Sequence, residues 1–160
     1  MNIVNRMNIT FSGIASNESF ARVVISAFAV QANPTMDELQ DIKMAISEAV
    51  TNAIVHGYDG DGEGLVTMSA ELSDDGEISI TVSDDGVGIA DLEQAREPFF
   101  TTKPELERSG MGFTVMESFM DSVAVESESG RGTKVIMRKQ FLAAAKADLS
   151  CESGNSDNTV

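Results

Sequence analysis

The sequence predicts an α+β domain, a two-layer α/β sandwich whose mixed, mostly antiparallel sheet carries its helices on one face. Three patterns lead there. Five short segments alternate apolar and polar residues, as half-buried strands do; turn-forming sequence joins four of them as two hairpins; and three further stretches each carry a single apolar stripe at helical period. A sheet with one apolar face and three one-striped helices have a common solution, in which the helices cover that face. The 160 residues, 42% of them apolar and 23% charged, suffice for one domain with a proper core.

Residues 7–12 (MNITFS) place Met7, Ile9 and Phe11 on one side and Asn8, Thr10 and Ser12 on the other, an edge or near-edge strand. From Ser16 or Asn17, both good N-caps, NESFARVVISAFAVQ brings Phe20, Val23, Val24, Ala27 and Phe28 round to one face and leaves Arg22 exposed. Asn33-Pro34 breaks the chain. Thr35 to Glu38 then spells a capping box, opening a long helix expected to reach His56. Its stripe is Ile42, Ala45, Ile46, Ala49, Val50, Ala53 and Ile54. Glu48, Asn52 and His56 follow one another beside it at i, i+4 and i+8, each a turn above the last.

Glycine and aspartate make 57–64 (GYDGDGEG) a loop, and it lacks the ligand spacing of a calcium-binding EF-hand. Segments 65–72 and 77–84 form a hairpin about Ser73-Asp74-Asp75-Gly76, with Ile78, Ile80 and Val82 on one face. A short helical piece is expected near 91–95. Residues 98–112 (PFFTTKPELERSGMG) have little apolar period and read as a mobile loop long enough to be functional. A third helix, 113–120, turns Val115, Met116 and Phe119 inward. Strands 122–128 and 133–138 close the domain, 1–138, about Ser129-Gly130-Arg131-Gly132. The remainder, 139–160, is expected to start as an alanine-rich helix and to end, from Leu149, as a disordered tail.

A formal net charge of −15 argues against nucleic acid or an anionic membrane surface as the main partner. One cysteine, Cys151, offers neither a disulfide framework nor a cysteine metal site. No apolar run approaches the length of a membrane span, and the first residues lack the apolar core of a signal peptide, so a cytoplasmic protein is expected.

Several segments carry chemistry. On the long helix, the Asn52 carboxamide oxygen can join a metal's oxygen shell, and Glu48, one turn earlier, can accept a proton. Asp84-Asp85-Gly86-Val87-Gly88 follows a strand, where glycines let the backbone approach a flat ligand. Gly110-Met111-Gly112 opens a helix, whose free N–H groups favour phosphate, with Arg108 and Lys103 nearby. Each signal alone is as easily a turn or a solvated edge. Their order is the stronger statement: E-x-x-x-N on a helix, D-x-G-x-G after a strand, a long loop, G-x-G entering a helix, and finally G-x-G-T at Thr133. Neither the P-loop signature nor the protein-kinase set of V-A-I-K, H-R-D and D-F-G is present.

This order resembles the GHKL, or Bergerat, ATP-binding fold of gyrase, the heat-shock chaperone, histidine kinases and the mismatch-repair ATPase. NESFAR (17–22), PTMDEL (34–39), SEAVTNAI-HGY (47–58), DGVGI (85–89) and FTTKPELERSGMGF (100–113) are further similar to the anti-sigma F factors of endospore-forming bacteria, the stage II sporulation AB proteins, over roughly 7–138. The resemblance implies a homodimeric serine kinase that silences a sporulation sigma factor and phosphorylates an anti-anti-sigma factor with Mg-ATP. It implies Glu48 as general base, Asn52 as Mg²⁺ ligand and Asp84 as acceptor of the adenine amino group, with Gly86 and Gly88 shaping that pocket. It further implies Gly110 and Gly112 as phosphate cradle, Arg108 as the lid cation, Thr133 beside the adenine and Arg22 as a partner contact. His56 reads as a helix-end residue. Being the only histidine, and inside the nucleotide helix, it nearly excludes a self-contained histidine autokinase. A stress-response anti-sigma kinase and a nucleotide-gated sigma-binding module without significant catalysis stay open as alternatives.

Overall fold

The computed structural model describes residues 1–57, 64–88 and 112–143. In chain order the elements are β1 (Ile3–Ser12), α1 (Asn17–Ala29), α2 (Met36–Asn52), β2 (Leu65–Ser73), β3 (Glu77–Asp84), α3 (Gly112–Phe119), β4 (Ser122–Glu128) and β5 (Gly132–Gln140). The strands lie in the order β1-β2-β3-β5-β4, with β1 at an edge as expected. Every described pairing is antiparallel. Hairpins impose this on two pairs. The excursion through α1 and α2 imposes it on β1 and β2, because it leaves and rejoins the sheet at one end, where Ser12 faces Leu65.

Register turns strand alternation into cross-sheet rows. On the inner face, which the helices cover, three rows are mainly apolar: Leu72, Ile78 and Lys139; Ala70, Ile80, Met137 and Val123; Met68, Val82, Val135 and Val125. The fourth row reads Val66, Asp84, Thr133 and Ser127 and is polar over three of its four positions. Outward-facing positions include Arg6, Asn8, Thr10, Thr67, Ser69, Glu71, Ser79 and Thr81, a polar face suited to solvent. Two of its cross-strand pairs bond directly, Arg6 Nε to Glu71 Oε1 at 2.9 Å and the Thr10 and Thr67 hydroxyls at 3.0 Å.

Helix α1 departs from its sequence pattern. It buries Ala21, Ile25, Phe28 and Ala29, while Phe20 and Val23 are 49% and 68% exposed. Two alanines on the buried face let α1 lie close to α2, so close approach rather than side-chain bulk selects the face. Phe20 instead meets Phe11 edge to face, with centroids 6.0 Å apart. Ser16 supplies no side-chain cap, and the Asn17 side-chain amide donates to the Ser12 carbonyl at 2.8 Å.

The capping box at the start of α2 is complete. Thr35 Oγ1 accepts the Glu38 N–H at 3.1 Å, and Glu38 Oε2 accepts the Thr35 N–H at 2.7 Å. Its other end corrects the expected α-helix to His56: α geometry stops at Asn52, and a π turn runs Ala53–Gly57. That wider turn breaks the i, i+4, i+8 alignment before His56.

The last strand also runs past its expected end at residue 138. Strand β5 continues through Lys139 and Gln140, where a helix was expected, and Phe141 is wholly buried. Lys139 explains the continuation. Its ammonium donates to the Phe119 carbonyl at the end of α3, 2.8 Å away, and pairs with Asp41 of α2 at 3.2 Å. The Phe141 N–H donates to the Gly76 carbonyl at 3.0 Å, and Glu38 Oε1 accepts the Leu142 N–H at 2.7 Å. In α3, Phe113 and Met116 are buried, whereas Val115 and Phe119, both expected inward, are half-buried. The helical piece at 91–95, most of the 98–112 loop and the tail from Leu149 lie outside the described residues.

At the opposite end of the sheet, residues 85–88 press onto the β4–β5 turn. The Gly130 N–H donates to the Val87 carbonyl at 2.7 Å. A Cβ on Gly132 (φ 91°) would lie 2.0 Å from the Asp84 carbonyl oxygen, and one on Gly88 (φ 73°) 2.1 Å from that of Glu128. Only glycine permits such contact.

Two stability tests arise from this packing. Thr35→Ala removes half of the capping box and should cost about 1 kcal/mol, lowering the melting temperature by roughly 2–4 °C in a calorimetric scan. Gly132→Ala should cost about 2 kcal/mol or more, since both its conformation and its space are denied. Gly130→Ala, at φ 82° with nothing within 4 Å, should cost only about half of that in the same denaturation series.

Candidate functional site

Helix α2 is held from behind and offers its chemistry at its end. Ile42, Ala45, Ile46, Ala49 and Val50 are at most 2% exposed, so the stripe is sealed. Glu48 and Asn52, one turn apart on the neighbouring face, are half-buried. The π turn after Asn52 packs against β3 and β5, carrying the helix end to the sheet. Single π turns inside helices recur at functional sites.

Asn52 meets the start of α3. A Cβ on Gly112 would lie 2.9 Å from Asn52 Nδ2 and 3.1 Å from Oδ1, so glycine is what allows the first turn of α3 to reach that carboxamide. Gly112 is itself buried. Two motifs sixty residues apart in sequence thereby form one corner.

A second corner lies in the polar row of the sheet. Asp84 is only 8% exposed. Burial pushes its carboxyl above the ordinary aspartate value; the Gly86 and Thr133 backbone N–H groups pull the other way, and the neighbouring Asp85 charge adds to the rise. The Gly86 N–H reaches Asp84 Oδ1 at 2.9 Å. Of the two glycines expected to shape this pocket, Gly88 takes a positive φ and Gly86 contributes its N–H instead. The Thr133 hydroxyl lies 2.8 Å from that of Ser127, which also donates to the Gly132 carbonyl at 3.0 Å.

The structure thus gathers Asp84, Gly86 and Thr133 in one corner and Asn52 and Gly112 in another. Arg108 and Gly110 lie outside the described residues, and so does the His56 side chain. Arg22 sits on α1, its side chain 41% exposed, with Nε 3.1 Å from Glu18 Oε1. Glu18 Oε1 also accepts from the Ser47 hydroxyl, tying α1 to the residue before Glu48. Sequence reasoning missed Ser127. The signal was available in the strand register, since Ser127 continues the alternation of Val123 and Val125 onto the row of Asp84.

A buried carboxylate ringed by N–H donors suits a ligand edge that donates hydrogen bonds. A carboxamide against a helix start, with a carboxylate one turn away, suits a metal-bound phosphate and a proton in transit.

Comparison with known proteins gives the family and the fold. Residues 15–139 match the model of the histidine kinase-like ATPase domain. Anti-sigma F factors are similar along nearly their whole length. That of Geobacillus kaustophilus is 58% identical over 143 residues, 89% of this chain and 97% of the relative. Those of Clostridium perfringens and Clostridium acetobutylicum are 60% and 56% identical over 137 residues, 86% of this chain and 97% and 94% of theirs. Among solved structures, the RsbU and RsbW domains of a Mycobacterium tuberculosis protein share the fold, with a TM-score of 0.63 and 19% identity over 86% of this chain and 33% of that one. The histidine kinase domain of a blue-light activated kinase from Erythrobacter litoralis does so at 0.55 and 17%, over 81% of this chain and 63% of that one. Among the described residues, no helix is long and apolar enough to cross a membrane. The chain belongs to the anti-sigma F factor family, built on the ATP-binding domain of the histidine kinase-like ATPases.

Proposed function

We propose that this protein is an anti-sigma factor and protein serine kinase acting in the cytoplasm as a homodimer. It binds and inhibits a sigma F-type sporulation factor and phosphorylates a serine of an anti-anti-sigma factor with Mg-ATP. The observation that carries this reading is Glu48, a half-buried carboxylate one helical turn before the asparagine that abuts Gly112. Binding a nucleotide does not need that carboxylate, whereas transfer to a hydroxyl does. Identity of 56–60% to anti-sigma F factors favours the sporulation lineage over the stress-response one.

The residues present fit the nucleotide and its metal. Asp84, whose carboxylate has acceptor sites beyond those used by Gly86 and Thr133, would hold the base amino group, with Thr133 beside it and Gly86 and Gly88 forming the wall. Gly112, with no Cβ, lets the start of α3 lie against Asn52, so that the free N–H groups of that turn would hold phosphate oxygens beside the carboxamide, with Gly110 before it. Asn52 would contribute a carboxamide oxygen to Mg²⁺, and Arg108 a cation near the γ-phosphate. When bound, Mg-ATP supplies the γ-phosphoryl group with its charge neutralised.

Glu48 takes the proton of the acceptor serine as that oxygen bonds to phosphorus and the bond to the departing ADP breaks. Asn52 and Gly112 hold the transferring end in place, and the site's contribution is positioning and electrostatics. Arg22 offers a guanidinium to a partner, and its link through Glu18 to Ser47 puts the docking helix in contact with the catalytic one.

The primary test mixes the protein with γ-labelled ATP, Mg²⁺ and a candidate anti-anti-sigma protein. Label should move to a serine of the partner, and Glu48→Gln should lower the transfer rate by about 100-fold or more while retaining Mg-ATP and sigma binding. Undiminished transfer by that variant would refute the base. No transfer by the unaltered protein, with ATP bound, would favour the nucleotide-gated binding module.

Asp84 gives a second test, by its charge. Because its folded pKa is raised, its ionisation opposes folding: stability is lost as pH climbs from the unfolded value, 3.8, through the folded one. Asp84→Asn removes this penalty. Its stability relative to the unaltered protein should rise across that window and then level off, while calorimetry shows weakened Mg-ATP binding.

A further inference from the structure

Helix α1 lies against α2 on a buried face of Ala21, Ile25, Phe28 and Ala29. Apolar burial sets how closely the helices approach but has no direction of its own. Hydrogen bonds have one, and the start of α1 makes two to other elements. The Asn17 side-chain amide donates to the Ser12 carbonyl at the end of β1, 2.8 Å away, and Glu18 Oε1 accepts the Ser47 hydroxyl of α2. That turn is thus tied to the sheet on one side and to α2 on the other. It sits at the end of the sheet that holds Asp84 and Thr133, since Ser12 faces Leu65 and the next residue, Val66, faces Asp84.

Ser47 differs from the serines inside the other two helices. Ser26 and Ser118 return the hydroxyl proton to their own helix, to the carbonyls four residues back at 2.7 and 2.8 Å, as mid-helix serines commonly do. Ser47 sends its single proton to a charged acceptor on a neighbouring helix, a bond about twice as strong as a neutral one. The oxygen that receives it also lies 3.1 Å from Arg22 Nε, one turn further along α1. One carboxylate oxygen therefore holds a partly exposed guanidinium against the residue that precedes Glu48.

We propose that Glu18 and Ser47 are positioning residues, a register pin between α1 and α2 that holds a partner docked at Arg22 so that its serine hydroxyl meets Glu48. This rests on the reading of Arg22 as a partner contact and of Glu48 as the base. The apolar stripe of α2 is sealed independently of the pin, so breaking the pin shifts α1 and leaves Glu48 and Asn52 in place. A partner then docks as before but presents its hydroxyl off line, and a misplacement of about 1 Å can cost up to about 100-fold in rate.

Single-turnover transfer from Mg-ATP to the candidate anti-anti-sigma protein, followed over a range of partner concentrations, separates docking from chemistry as a half-saturating concentration and a maximal rate. Ser47→Ala and Glu18→Ala should each lower the maximal rate about tenfold, and the double variant should fall no further than either, because both break one contact. In Ser47→Ala the half-saturating concentration and the calorimetric Mg-ATP affinity should hold, and Ser47→Thr, which keeps the hydroxyl, should keep the rate. A loosened α2 would instead weaken Mg-ATP binding through Asn52. Arg22→Ala should raise the half-saturating concentration. An undiminished rate in Ser47→Ala, a parallel loss of Mg-ATP affinity, or additive losses in the double variant overturns the pin, and leaves the kinase reading standing where Glu48→Gln stops transfer. A half-saturating concentration that Arg22→Ala does not move removes the docking reading and the pin with it, and undiminished transfer by Glu48→Gln removes the base and the pin together.

Discussion

Ile42, Ala45, Ile46, Ala49 and Val50 press α2 onto the sheet with almost no solvent contact, and α1 and α3 close over its flanks. Everything at the site inherits its position from that seam. A helix buried along one stripe cannot rotate without exposing it, and each such side chain is worth about 1.5–3 kcal/mol when buried, less for alanine. Glu48 and Asn52 are therefore oriented by apolar packing they take no part in. The same seam admits α1 through its alanines and carries the Glu18–Ser47 contact, so any partner that pulls on α1 pulls on the residue beside Glu48.

The inner face of the sheet works by a change of character along its length. Three rows are mainly apolar and hold the helices; the fourth is polar and borders them. Placing Asp84 at the limit of an otherwise dry face raises the cost of its charge, which backbone N–H groups from Gly86 and Thr133 offset only in part. Such residual cost is what a binding site retains when its lone pairs await a ligand. The close approaches at Gly88 and Gly132 serve the same corner by letting loop and turn backbones touch.

Much of this was legible in the chain. Strand alternation gave β3 and β4 to the residue, and the Thr35–Glu38 pattern located the start of α2. These are local signals, and local signals survive tertiary context. The face of α1 was not legible, because periodicity weighs Phe20 and Val23 by hydrophobicity while the fold chose Ala21 and Ala29 for closeness. The π turn at Ala53–Gly57 and the run of β5 past Arg138 depend on contacts with distant elements, Lys139 to Asp41 among them, that no window of sequence contains. In the site, Asn52 and Asp84 were readable as types in an order. Ser127 was not, since a serine on an edge strand gains meaning only when register sets it beside Thr133.

Glu38 spends one oxygen on the start of α2 and the other on the backbone of Leu142. Those atoms, with Gly76 and Phe141, lie at the end of the sheet away from Asp84 and Thr133. The described chain thus makes its exit at the pole opposite its chemistry. A dye, a surface tether or a fused domain attached directly after Ala143 would therefore begin at the far pole from the nucleotide corner.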